Sequence, residues 1–302
     1  MTTHHRKNNE ATRNNEKQHS AIAHHSKSRR RTPRELGLHW LRTLRWDLLL
    51  LYMSDLGRDI VSRKYDAFTT DRAYSTKASG RWVVGKWVDA IVRRMDTQVA
   101  LRDRLAIVTH MLAESTARMR DATGRRVELV SGPCGLVRDV CQSWTQLARK
   151  GKHPGEWLRV TGLDLDDAGD VLPEAQRRAD DAGVPITLAQ ADLLDGESLA
   201  RRLGNRRVDV FHSMGLTTWL DDDARVRLLE NLRGVLRRGG ELIVDIFRPH
   251  SGARYVDALE MSAWYPVPGV FEAQLEAAGF EIAETRESRN GVVVVHRAIA
   301  MG

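Results

Sequence analysis

Cysteine is scarce in this chain: Cys134 and Cys141 are the only two in 302 residues. Two thiols cannot form the disulfide framework on which small secreted domains depend, and they fit a reducing compartment. Long apolar runs are missing as well. The most apolar stretch, "WDLLLLYM" at 46–53, contains a charge and falls far short of the roughly 18 residues of a bilayer span. The N-terminus has no apolar signal core, so secretion is not expected and the chain reads as soluble and cytoplasmic. Zinc-type spacing is absent. His4-His5 and His24-His25 suit only weak, adventitious binding, so no resident metal is expected. No internal repeat, Ser-His-Asp arrangement or catalytic carboxylate pair emerges from the sequence.

Net basic charge is missing from most of the chain. The formal net charge is +7, but residues 1–35 carry nine Lys/Arg against three Glu, which leaves about +1 for the rest. A nearly neutral body argues against nucleic acid as a partner. The stretch 1–35, with "HSKSRRRTPRE" and almost no apolar residues, is expected to be a disordered basic tail. It is either simply solvated or a weak electrostatic tether to nucleic acid or anionic lipid.

From 36 to 122 the apolar residues recur at helical spacing: Leu41, Leu44, Leu48 and Leu51; Val84, Trp87, Val88 and Ile91; Leu105, Val108, Met111 and Leu112. This predicts a helical N-terminal subdomain. The polar "YDAFTTDRAYSTKASG" reads as a loop within it, and Trp40, Trp46, Trp82 and Trp87 read as core. From 123 to 302 the pattern changes to short apolar strands at 127–131, 158–163, 185–190, 207–212 and 241–246, alternating with helical stretches. One such helix holds Val226, Leu229, Leu232 and Leu236, introduced by Asp221–Asp223 and stopped by Gly239-Gly240. That alternation predicts βαβ units and a parallel sheet. "FEIAETRES" and "VVVVHRAIA", joined at Asn290-Gly291, predict an antiparallel hairpin at its end. The expected fold is α/β: a Rossmann-like, seven-stranded, mostly parallel sheet with an antiparallel C-terminal hairpin, preceded by helices.

Ligands of open parallel sheets sit beyond the carboxyl ends of the strands. The segments there are "VELVSGPCG", "VTGLDLDD", "AQADLLD" and "VFHSMG". Glycines at Gly132 and Gly135 allow positive φ and close backbone approach. The nicotinamide fingerprint G-x-G-x-x-G is not present. An acid such as Glu128, at the head of a glycine turn, repels pyrophosphate and suits a cationic ligand. Asp164 at the end of the second strand can accept from ribose hydroxyls. Asp192 after the third can accept from an adenine amine or cap a helix, and Asp166 is a helix cap.

Taken in order, these motifs from about 125 to 300 resemble the class I S-adenosylmethionine-dependent methyltransferases. Residues 69–89 resemble a segment that folds as a lid over the cofactor in a poorly characterised branch of that family. The resemblance implies S-adenosylmethionine as cofactor, with Glu128, Gly132 and Gly135 at the methionine end, Asp164 on the ribose, and Leu165 on adenine. It implies Asp192 at the adenine amine and Leu193, Ser213 and Met214 beside the adenosine. Val130 and Cys134 stand where the family has glycines.

His212 and His250 are the base candidates, each with a bland alternative: a backbone-satisfied ring beside the adenosine, and an exposed loop histidine. Cys134 is either a nucleophile or a small buried thiol. Tyr74, Trp219 and Trp264 are candidates for the acceptor side or lid. No Asn/Asp-Pro-Pro-aromatic motif follows the fourth strand, so oxygen methylation of a small molecule, at a hydroxyl or carboxylate, is expected over base N-methylation. The rival readings are a non-catalytic S-adenosylmethionine- or partner-binding module, and a nucleic-acid methyltransferase guided by the tail.

Overall fold

A computed structural model describes residues 51–80 and 82–302. The expectations for the tail, for Trp40 and Trp46 and for the Leu41–Leu48 face lie outside these residues.

Among the described residues, four helices precede the sheet: α1 (Asp55–Arg63), α2 (Ala67–Ala73), α3 (Trp82–Val92) and α4 (Asp96–Thr123). Helix α2 falls within the stretch expected to be a loop. Its start is fixed by Asp66, whose carboxylate accepts from the Thr69 N–H at 2.7 Å and satisfies an orphan donor of the first turn. Helix α4 buries Leu101, Val108, Met111 and Leu112 and packs on α5 (Arg138–Arg149) and on the sheet. The stripe of α3 behaves otherwise: Val84, Trp87 and Ile91 are exposed, as is Trp82. The expectation that Trp82 and Trp87 are core is therefore overturned.

The seven strands are β1 (Val127–Ser131), β2 (Leu158–Asp164), β3 (Ile186–Gln190), β4 (Val208–Ser213), β5 (Leu236–Phe247), β6 (Phe280–Glu287) and β7 (Val293–Ala300). Their order is β3-β2-β1-β4-β5-β7-β6. β1 to β5 run parallel, and β7 is antiparallel to both β5 and β6, as the terminal hairpin pattern predicts. Leu236, expected on a helix face, instead opens β5 opposite Val208. Helix α9 (Asp222–Val235), capped by Asp221, ends one residue earlier.

The remaining helices are α6 (Pro154–Trp157), α7 (Val171–Asp181), α8 (Gly196–Arg202), α10 (Ala253–Ala258) and α11 (Val270–Ala277). Leu199 of α8, Leu228, Leu229 and Leu232 of α9 and Phe271 of α11 form one core with Val130, Leu163, Phe211 and Val244 of the sheet. The strand order reverses between β1 and β4. That switch point, at the carboxyl ends of the strands, is where the topology opens a crevice.

Candidate active site

The crevice is a cavity of about 430 Å³, lined by the ends of β1, β2, β4 and β5 and by α2, α4, α5 and the segment after β5. That volume falls in the range of small-ligand pockets.

At the β1–α5 turn, Gly135 takes φ +47° and its N–H donates to Asp164 Oδ2 at 2.9 Å. Asp164 closes β2, lines the cavity, and accepts a second bond from the Asp166 N–H at 3.2 Å. Burial pushes its carboxyl above the ordinary value, against the backbone donors that pull it down. Leu165 stands beside it, about half exposed into the cavity. Asp166 also accepts from the Val171 and Leu172 N–H groups at the start of α7, which is a helix-capping role.

Cys134 lines the cavity but packs sideways. A side chain on Gly162 of β2 would meet Cys134 Cβ and Sγ at 3.2 Å. The bare glycine on the strand makes room for the larger residue in the turn, and the cavity stays open beside it. Burial first, then the charges of Asp164 and Asp139, push the Cys134 thiol far above its ordinary value, so it is a buried thiol and not a nucleophile. Val130 belongs to the core.

Several expected site residues lie elsewhere. Glu128 is three residues short of the end of β1 and is held by Arg159 at 3.1 Å and Arg206 at 3.2 Å. Those two arginines are the reason an acid sits in this strand, and Glu128 does not reach the cavity. Asp192 is exposed and accepts from the Leu194 N–H at 2.8 Å, closing its own turn. Leu193 is core. Gly132 faces that core: a Cβ there would meet Leu193 Cδ2 at 3.2 Å and Phe211 Cζ at 3.4 Å. Its glycine serves packing, and it does not line the cavity. Ser213 is fully buried, whereas its neighbours Met214 and Gly215 line the cavity. Trp264 is half exposed outside it. Of the three acids Glu128, Asp164 and Asp192, the cavity brings in Asp164 alone.

His212 is 1% exposed and lies beneath the floor. Its Nδ1 is 3.0 Å from Ser131 Oγ and its Nε2 is 3.1 Å from Asp139 Oδ2. It does not line the cavity and cannot meet an acceptor there. It stands beneath Asp139, which does line it. Burial raises the Asp139 carboxyl, but His212, the Val140 N–H and Arg104 outweigh this and hold it below the ordinary value, so it stays ionised at neutral pH. Asp139 is a site residue the sequence reading missed, although it follows the glycine turn by four positions.

The other wall is built around Arg104, also missed. It is buried within α4 and lines the cavity. Nη1 donates to Asp245 Oδ2 at 2.8 Å and Nη2 to the Tyr74 hydroxyl at 2.7 Å. Asp245 also accepts from the Gly215 N–H at 2.7 Å, tying helix α4, Tyr74 at the end of α2 and the β4 loop together. A cation in the apolar face of a helix and an acid inside "LIVDIF" were the available signals.

His250 lines the cavity on the segment after β5. Its Nδ1 is 2.9 Å from the Arg248 carbonyl, an acceptor, so Nδ1 carries the proton and Nε2 accepts from Thr97 Oγ1, 2.9 Å away. Tyr265 packs edge-on against His250 at 5.4 Å, Phe247 lies 6.1 Å from it, and Tyr65 and Trp219 pair at 6.3 Å. All of these line the same cavity. It thus has an aromatic end with one basic nitrogen and an acidic end at Asp139, Asp164, Asp166 and Asp167. Its arginines are already matched: Arg63 to Asp66 and Asp170, Arg138 to Asp71, and Arg104 to Asp245. No arginine or lysine pairs with the four acids of the acidic end among the described residues.

No family model and no curated protein matches the chain. Solved structures do. A possible exported protein from Bordetella parapertussis superposes with a TM-score of 0.65 at 20% identity, over 85% of this chain and 87% of that one. The magnesium protoporphyrin IX methyltransferase of Synechocystis, with S-adenosylhomocysteine bound, gives 0.52 at 16% identity over 80% and 96%. The CurJ carbon methyltransferase gives 0.56 at 14% identity over 91% and 73%. With its strand order, terminal hairpin and switch-point crevice, the chain has the fold of the class I S-adenosylmethionine-dependent methyltransferases.

Proposed function

We propose that this chain transfers a methyl group from S-adenosylmethionine to an oxygen, hydroxyl or carboxylate, of a small-molecule acceptor. One observation carries the reading: a single cavity at the switch point joins an acidic end, paired with no arginine or lysine among the described residues, to an aromatic end where the His250 Nε2 is an acceptor held by Thr97 alone.

The residues fit the cofactor. Its sulfonium and ammonium make it cationic where it meets Asp139, and the acidic surplus suits that charge. Asp164 has two oxygens for the ribose hydroxyls, with lone pairs left after its backbone bonds. Leu165 offers an apolar face for the adenine. The buried Thr218 Oγ1 lines the cavity with no partner among the described residues and is available to a ligand.

When bound, S-adenosylmethionine supplies an electrophilic methyl on a positively charged sulfur. The protein's work is then alignment and water exclusion. Arg104, Tyr74 and Asp245 hold α4, the α2 side and the β4 loop in one frame. Tyr65, Trp219, Phe247 and Tyr265 suit a flat, apolar acceptor. The Arg248 carbonyl fixes the tautomer of His250, leaving Nε2 to take a proton from an acceptor hydroxyl that replaces Thr97 as its donor. A carboxylate acceptor needs no such base.

The test is incubation with methyl-labelled S-adenosylmethionine and panels of phenols, carboxylic acids and amines. Label in ethers or base-labile esters is expected. Label only in amines, or none with cofactor bound, would contradict oxygen transfer.

A further inference from the structure

Helix α3 presents its apolar side outward. Trp82 is 85% exposed and Trp87 71%, with Val83, Val84 and Ile91 beside them. Tyr52 and Met53 are exposed too, and the Met53 carbonyl sits so close to Gly85 that a Cβ there would lie 2.5 Å from it. These residues make up more than half of the large hydrophobic side chains exposed among the described residues. A contiguous patch of this kind marks an interaction surface.

The patch is held rigidly. Asp89, fully buried on the inner side of α3, accepts from Ser54 Oγ at 2.6 Å, the Leu56 N–H at 3.1 Å, the Ser79 N–H at 3.0 Å and Arg93 Nε at 2.6 Å. Its charge is also one-sided. Every carboxylate between Tyr52 and Met95 is buried or paired with an arginine: Asp55 with Arg58, Asp59 with Arg72, Asp66 with Arg63, Asp71 with Arg138, and Asp89 with Arg93. Lys77, Lys86 and Arg94 are exposed and make no ion pair among the described residues.

We infer that this face docks on an anionic lipid bilayer. Trp82 and Trp87 would sit at headgroup level with the valines and Ile91 below them, and Lys86 and its neighbours would meet lipid phosphates. Tryptophan and apolar residues on one side, with lysine and arginine at the rim and no free acid, is the make-up of an interfacial helix. A second copy is the poorer occupant. A two-fold interface brings the same patch against itself, setting cations against cations with no free carboxylate to receive them.

The full chain is tested by co-sedimentation with vesicles of phosphatidylcholine alone and with 3:7 phosphatidylglycerol to phosphatidylcholine, while sedimentation equilibrium reports its mass without lipid. Binding to the anionic vesicles, weakened by salt and accompanied by a blue shift of tryptophan emission, is expected. Lys86→Glu should cut it about fivefold or more, and Trp82→Ser with Trp87→Ser should abolish it, with circular dichroism and melting unchanged. Three results overturn the inference: no binding to anionic vesicles, binding that these variants leave intact and so resides elsewhere in the chain, or self-association that the tryptophan variants remove in the absence of vesicle binding.

Discussion

On the proposed reading, cofactor binding turns on Asp164. Asp164→Ala should weaken S-adenosylmethionine binding by about 1–3 kcal/mol through loss of charge-assisted bonds, read by calorimetry. Its pH dependence has a definite sign. Burial favours the neutral carboxyl, whereas ribose hydroxyls are accepted by the ionised form. Affinity should therefore fall as pH drops through the raised Asp164 titration, and binding within that range should release protons to the buffer. Calorimetry in two buffers of different ionisation heat measures this. His250→Gln should leave cofactor affinity unchanged and slow methylation of a hydroxyl acceptor by about 10²–10⁴-fold, with little effect on a carboxylate acceptor. The placement of Asp164, Gly135 and Leu165 at the crevice was legible in the sequence because strand ends and turn glycines mark themselves. Glu128 and Asp192 misled because an acid near a strand end looks the same whether it faces a ligand, two arginines or its own turn. Asp139, Arg104 and Asp245 are distant in sequence and become a site only through tertiary packing.

At the scale of elements, six strands were read to within about a residue, since each is an apolar run ended by a polar or glycine residue, whereas β5 opens at Leu236, five residues before its apolar run, in a polar stretch that reads as a helix end and turn. Helices before the sheet were harder. α2 is short and polar, and its one sequence mark is the cap at Asp66. α3 carries an apolar stripe whose period is right but whose direction cannot be read from periodicity. Its anchor, Asp89, is a buried charge whose loss strands Arg93, so Asp89→Ala should cost about 3–5 kcal/mol in chemical denaturation. Hydrogen bonds from Ser54, Ser79, Leu56 and Arg93 outweigh burial and hold the Asp89 carboxyl below its ordinary value. A depressed folded value means the stabilisation is present above the unfolded value and is lost as pH falls through the folded one. On β2, behind the glycine turn, Gly162→Ala would press on Leu188 Cδ2 and on Cys134, costing about 1–3 kcal/mol by overpacking. Cys134→Gly should recover part of that loss.

The described residues are built on a sheet whose parallel part reverses its strand order once, between β1 and β4, and that reversal decides where the crevice opens. Fold class and terminal hairpin follow from alternating patterns that a sequence displays openly. The contents of the crevice do not, because α2, α4 and the segment after β5 reach it from far along the chain. No helix among the described residues is long and apolar enough to cross a membrane, so attachment through α3 would be to a bilayer surface. The most direct measurement is calorimetric titration of the full chain, and of its Asp164→Ala variant, with S-adenosylmethionine and S-adenosylhomocysteine. Saturable one-site binding, weakened about tenfold or more in the variant, is expected. Absence of heat with both ligands, or equal affinity in the two proteins, would contradict the assignment of this cavity to the cofactor.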